Sequence, residues 1–113
     1  MPASLPLVSA QATVGRLGSF QVLTLAGNLT IDGSHANTLK IDPAGARDVT
    51  LPAVAAFAGV TYTIINAADA AESMTVKNAG ASTIGTVSQN EKASFYSDGT
   101  NWILVEIVAI ALA

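Results

Sequence analysis

The sequence predicts an all-β fold, a small β-sandwich of jelly-roll or Greek-key type with an extended N-terminal arm. Three observations lead there. Apolar residues recur with period two in short runs, which places them on one face of a strand because successive side chains point to opposite sides. Turn-forming residues separate the runs at short intervals, the pattern of sandwiches and barrels. The Ala-rich stretches between them are too short for a standard core helix.

Along the chain, residues 1–20 have no clear periodicity, and Pro2, Pro6, Gly15 and Gly18 suit an extended arm. A strand is expected near residues 22–25. Leu29 and Ile31 then alternate with Asn28, Thr30 and Asp32, and Leu39 and Ile41 alternate with Thr38, Lys40 and Asp42. Val49 and Leu51 follow, flanked by Asp48 and Thr50. Val60, Tyr62 and Ile64 alternate with Thr61 and Thr63, and Met74 and Val76 with Ser73, Thr75 and Lys77. A further strand is expected over residues 83–87. Between the runs, Asp32-Gly33, Asp42-Pro43-Ala44-Gly45 and Asp98-Gly99 supply positive-φ or proline-set turn positions. Residues 52–59 read as a short helical turn, with Pro52 at its start and Gly59 at its stop. Residues 66–72 read as a loop or one helical turn.

Residues 92–96 and 102–108, joined through Asp98-Gly99, form the clearest hairpin. Its second strand is apolar on both sides: Ile103, Val105 and Ile107 on one, Trp102, Leu104 and Val108 on the other, with Glu106 the exception. A strand apolar on both faces is either central in a covered sheet or pressed against another subunit. The count comes to about eight strands, and the chain divides into an arm (residues 1–20), a sandwich (21–108) and an apolar tail (109–113).

Composition narrows the function. Half of the 113 residues are hydrophobic and 12% are charged, about half the charge content of an average soluble domain. With a mean hydropathy of +0.48, part of this surface is expected to be covered by a partner. A membrane span is not expected, since the longest apolar stretch, residues 103–113, is broken by Glu106 and falls short of about 20 residues. No Lys or Arg precedes Arg16, so a signal peptide's basic n-region is missing. The net charge of −3, with Arg16, Lys40, Arg47, Lys77 and Lys92 scattered singly, argues against nucleic acid. The absence of cysteine removes disulfides and thiolate chemistry, and a small unstapled chain gains from oligomerisation.

Chemical motifs are sparse, and no catalytic, metal or cofactor residue is expected. Asp32, Ser34 and His35 have the residue types of a hydrolase triad, but neighbours in one turn rarely converge as one. Asp42 and Asp48 bracket one turn and Asp69 and Glu72 share another, without the spacing of a calcium loop. Gly15, Gly18 and Gly27 lack the lysine and helix of a phosphate loop. Tyr96, Asp98, Asn101 and Trp102 have the residue types of a sugar site, although paired aromatics in a hairpin more often anchor a core or an interface.

Val49-Thr50-Leu51-Pro52, then Gly59-Val60-Thr61-Tyr62-Thr63-Ile64-Ile65-Asn66, then Ser97-Asp98-Gly99-Thr100-Asn101-Trp102 resemble segments of small structural proteins of tailed bacteriophages. The resemblance, over roughly residues 39–106, is to head decoration (capsid cement) proteins; the S-D-G-x-x-W ending is also similar to segments of tail fibres. It implies a β-sandwich, homo-oligomers and a major capsid protein as partner, with the protein on the outer surface of the capsid in the virion. A homotrimer is favoured over a homodimer, since such shells offer three-fold sites. The expected interface comprises Leu5, Leu7 and Val8 of the arm with Trp102, Leu104, Ile107, Val108, Ile110 and Leu112. The alternatives are a fibre-tip module holding a host glycan on Tyr96 and Trp102, or a carbohydrate-binding module.

Overall fold

Period-two burial runs through the computed structural model, which describes residues 19–113. Among these residues nine strands form: β1 (Phe20–Thr24), β2 (Leu29–Thr30), β3 (Thr38–Asp42), β4 (Arg47–Thr50), β5 (Thr61–Asn66), β6 (Met74–Lys77), β7 (Thr83–Val87), β8 (Glu91–Ser97) and β9 (Trp102–Ala109). A 3-10 turn, Val54–Phe57, occupies the stretch after Pro52. Among the described residues no helix is long and apolar enough to cross a membrane. The arm residues Leu5, Leu7 and Val8 lie outside the described residues.

The strands make two sheets, ordered β1-β3-β5-β8-β9 and β2-β4-β6-β7. From β1 to β6 the chain alternates between them, so each strand returns to its sheet running the same way as its predecessor. Hence β1, β3 and β5 are parallel neighbours, as are β2, β4 and β6. Only the last part turns back on itself: β7 lies antiparallel to β6, β8 to β5 and β9 to β8. The first part is thus a short two-sheet coil and the last a meander that closes it. Jelly rolls and Greek keys pair antiparallel neighbours, so that expected connectivity is corrected. Period two reports which face of a strand is buried, not which strand lies beside it.

Both sheets turn their apolar residues inward on one core. Leu39, Ile41, Tyr62, Ile64, Ala93, Phe95 and Trp102 from the larger sheet meet Val49, Met74, Val76 and Val87 from the smaller, with Leu25, Ile31 and Leu51 from connecting segments. Gly85 on β7 lets the far edge of the larger sheet approach. A Cβ there would stand 3.3 Å from Leu104 Cδ2 and 3.6 Å from Ile107 Cδ1, the first of these tighter than ordinary van der Waals contact.

One polar residue is built into this interior. Asn66, fully buried at the end of β5, donates from Nδ2 to the carbonyls of Glu72 (2.8 Å) and Val87 (2.9 Å). Its Oδ1 accepts from the Ala68 N–H at 2.9 Å. The amide therefore ties the β5–β6 loop to the end of β7 through backbone groups of both.

The hairpin turn is held by Asp98, whose Oδ1 accepts the backbone N–H groups of Asn101 (2.6 Å) and Thr100 (2.8 Å). Those bonds favour the ionised carboxylate and lower its pKa below 3.8. Because the folded value is the depressed one, this stabilisation is present above the unfolded value and is lost as pH falls through the folded value. A nuclear magnetic resonance titration should find Asp98 ionising below 3.8 in the folded protein. Asp98→Asn should flatten the acid limb of the stability curve, and an unchanged acid limb would refute the role.

Candidate docking surface

The outward rows of the larger sheet follow from its register. One row runs Val22, Lys40, Ile65, Lys92, Val108, and the next Phe20, Thr38, Thr63, Ser94, Glu106. Tyr96 pairs with Ile103 beside them. Lys92 Nζ stands 3.6 Å from Glu106 Oε2, an exposed pair of little energetic weight. The outer face of the smaller sheet is different in kind. It carries Asp48, Thr75 and Thr86 in one row and Thr50, Lys77 and Thr83 in the next, with Lys77 Nζ 3.0 Å from Asp48 Oδ2.

Exposure sharpens the contrast. The exposed large hydrophobic residues are Phe20 (61%), Val22 (64%), Tyr96 (39%), Ile103 (42%), Val105 (60%), Ile107 (36%), Val108 (38%) and Leu112 (46%). Among the described residues every one belongs to the larger sheet or to the tail after β9; the smaller sheet contributes none. Scattered exposed apolar side chains are ordinary, whereas their concentration on one side marks an interaction surface.

β9 carries four of these eight residues. It is the longest strand, it ends its sheet, and among the described residues no strand pairs with its outer edge. A bulge interrupts it: Phe95 pairs with Leu104 and Ser94 with Glu106, leaving Val105 without a partner on β8. The extra residue shifts the alternation. Leu104 and Ile107 turn inward toward Gly85, and Ile103, Glu106 and Val108 fall in the outward rows. The expected grouping of Ile103, Val105 and Ile107 on one face is corrected accordingly, since strict alternation cannot pass through a bulge.

The expected interface residues therefore separate. Ile107, Val108 and Leu112 are exposed, and Leu104 and Ile110 are half-buried. Trp102 is not surface at all. It is 7% exposed, its Nε1–H donates to the Pro52 carbonyl at 2.9 Å, and its ring packs 5.8 Å from that of Tyr62. Tyr96 sits in an outward row while Trp102 faces the core, so the two rings do not share a stacking platform. Phe20, Val22, Ile103 and Val105 were absent from the expected set. Phe20 and Val22 are separated by Gln21, so a period-two signal was present; its apolar face proves to be the outer one.

The polar groups hold turns. Asp32 Oδ1 accepts from the Ser34 hydroxyl (2.6 Å) and the Ser34 N–H (2.9 Å), and His35 Nδ1 accepts the Asp32 N–H at 3.0 Å. Those bonds, with His35 beside it, lower the Asp32 pKa. Ser34 bonds the carboxylate directly, without the imidazole in between that a triad requires. Burial, and secondarily Asp32, push the Tyr62 phenol up from 10.0. Asp42, Asp69 and Glu72 bring one carboxylate oxygen each within 4.8 Å of the others. That neighbourhood was invisible in sequence because Asp42 comes from β3 and the others from the loop after β5. A shallow cavity of about 170 Å³ lies between Val54, the turn at residues 78–80 and residues 100–102, smaller than the ~300 Å³ at which drug-sized ligand pockets begin.

No protein-family model, curated protein or solved structure matches the chain.

Proposed function

We propose that this chain is a structural virion protein, a capsid decoration protein that binds the outer surface of a major capsid protein shell and stabilises it. The observation that carries the reading is the one-sidedness of the molecule. Among the described residues the exposed large hydrophobics gather on the larger sheet and its tail, and the outer face of the opposite sheet is polar. The resemblance of residues 49–52, 59–66 and 97–102 to head decoration proteins supplies the identity of the partner. A shell repeats the same site many times, so a self-associating protein engages several sites at once and gains from effective concentration. The inward turn of Trp102 weighs against the alternative, a fibre tip that stacks a host glycan on Tyr96 and Trp102.

Purified protein should bind expanded capsids of its phage up to a fixed copy number and raise their resistance to heat. A ligand that binds only the intact lattice stabilises it by mass action. Phe20→Asp with Val22→Asp should weaken that binding at least tenfold without changing the melting temperature of the free protein. Saturable binding to host cells with none to capsids would make the fibre-tip reading correct.

A further inference from the structure

We infer that residues 8–14 close the open end of the core, as a further strand of the same chain laid parallel against β2. The inference does not rest on the shell reading. It concerns what part of the N-terminal arm does in the free protein.

The two-sheet coil is finished at one end only. The meander of β7, β8 and β9 covers its last turn. Its first turn, β1 with β2, is an end, and among the described residues no strand lies beyond either. Register pairs Leu23 with Ile41 and Leu29 with Val49. Ile41 and Val49 are 0% exposed, whereas Leu23 and Leu29, in the same inward rows one turn earlier, are only partly buried against the core. Stacked turns need a cap where the stack stops, because the last inward side chains are covered on one side only.

Two regularities name the occupant. From β1 to β6 the chain alternates between the sheets, so the stretch preceding β1 falls on the smaller sheet, beside β2 and parallel to it. Turn length then gives the place. Phe20 pairs with Thr38, eighteen residues on, and Leu29 with Val49, twenty on. Later turns are longer because the 3-10 turn and the β5–β6 loop are inserted in them. Nineteen residues before Leu29 stands Ala10, within Val8-Ser9-Ala10-Gln11-Ala12-Thr13-Val14, which alternates apolar with polar throughout. Two of its four apolar members are alanine, too small to make residues 1–20 read as periodic by sequence alone. This stretch lies outside the described residues.

Its chemistry fits the β2 edge and not the β1 edge. The smaller sheet is apolar inside and polar outside, with Thr30, Thr50, Asp48 and Thr75 in its outer rows. Ser9, Gln11 and Thr13 continue that polar face while Val8, Ala10, Ala12 and Val14 turn toward Leu23 and Leu29. Beside β1 the outer face carries Phe20 and Val22 instead. The connection is long enough as well. Residues 15–19 remain to cross from one sheet to the other, and residues 25–28 make such a crossing with four. Val8 is thereby withdrawn from the surface that meets a partner, leaving Leu5 and Leu7 as the arm's contribution to it.

The chain has no cysteine, and neighbouring strands stand about 4.8 Å apart, within disulfide reach. In the full chain under mild oxidation, Leu29→Cys should cross-link with Ala10→Cys or Ala12→Cys inside one chain. Val22→Cys, on the outer face of the larger sheet, should link with neither. Amide hydrogen exchange of the unmodified protein should show residues 9–13 protected by about a hundredfold or more. Ala10→Asp with Ala12→Asp should lower the melting temperature by about 10 °C or more, because charges enter the end of the core. Gln11→Lys with Thr13→Lys should leave it unchanged. Unprotected amides at residues 9–13, equal linking of Val22→Cys, cross-links between two chains, or equal melting temperatures for the two double variants would each overturn the inference. Exchange and cross-linking read the contact directly, whether or not the acidic variant folds. Capsids play no part in these measurements, so failure of the shell reading leaves the result intact.

Discussion

Asn66→Leu is expected to remove about 2–6 kcal/mol of folding stability, because it takes the side-chain partner from two buried backbone groups, each costing roughly 1–3 kcal/mol when unsatisfied, and from a third that is half-buried. The groups are the carbonyls of Glu72 and Val87 and the N–H of Ala68. Leucine keeps the branched shape and leaves no cavity, so the loss is mainly one of hydrogen bonding. It is a large share of the 5–15 kcal/mol that holds a typical domain together. Chemical denaturation is the measurement, and Asn66→Asp is the companion variant. Aspartate keeps the acceptor for Ala68 but turns its other oxygen toward two carbonyls, and it should be at least as damaging. A loss below about 1 kcal/mol for Asn66→Leu would mean that the loop re-pairs its groups elsewhere.

Trp102→Ala should be comparable, at about 3–5 kcal/mol, the range for deleting a large buried ring. The variant loses the contact with Tyr62 and leaves the Pro52 carbonyl without its donor. For a domain of this size the melting temperature should fall by roughly 15–30 °C. Trp102→Phe should keep most of the packing and lose mainly the hydrogen bond. This result also discriminates between functions. Were Trp102 a ligand platform, alanine would abolish binding in a protein of normal melting temperature. With the ring buried as it is, any loss of binding should accompany loss of fold.

The residues that form strands were legible because strand formation is a local matter. Leu39 and Ile41, Tyr62 and Ile64, and Met74 and Val76 each alternate with polar neighbours, and each pair is buried. β7 has the bounds its pattern indicates, Thr83–Val87. The turn at Asp98-Gly99 was equally readable. Asp98 bonds residues two and three positions on, and Gly99 adopts φ +90°, which suits glycine. The docking surface was legible as a need and only partly as a place. The low charge content announced uncovered apolar surface and the tail pointed to Ile107, Val108 and Leu112, yet Trp102 was assigned to the wrong side of the wall.

By itself the sequence determined that the chain is all-β, where its strands fall, which turns separate them and that its surface is short of charge. Backbone alternation, turn chemistry and composition are properties of residues and their near neighbours. Only the tertiary structure decided that β1, β3 and β5 lie parallel, that the bulge at Val105 reverses the phase of β9, and that Asn66 spans from Glu72 to Val87. It alone put the exposed large hydrophobics of the described residues on one sheet and the tail that follows it. These depend on which strand lies beside which, and a crossing to the opposite sheet and a hairpin back to the same one use the same turn residues. Partner choice is settled by burying all the inward faces in one core, a condition on the whole chain that no short segment records.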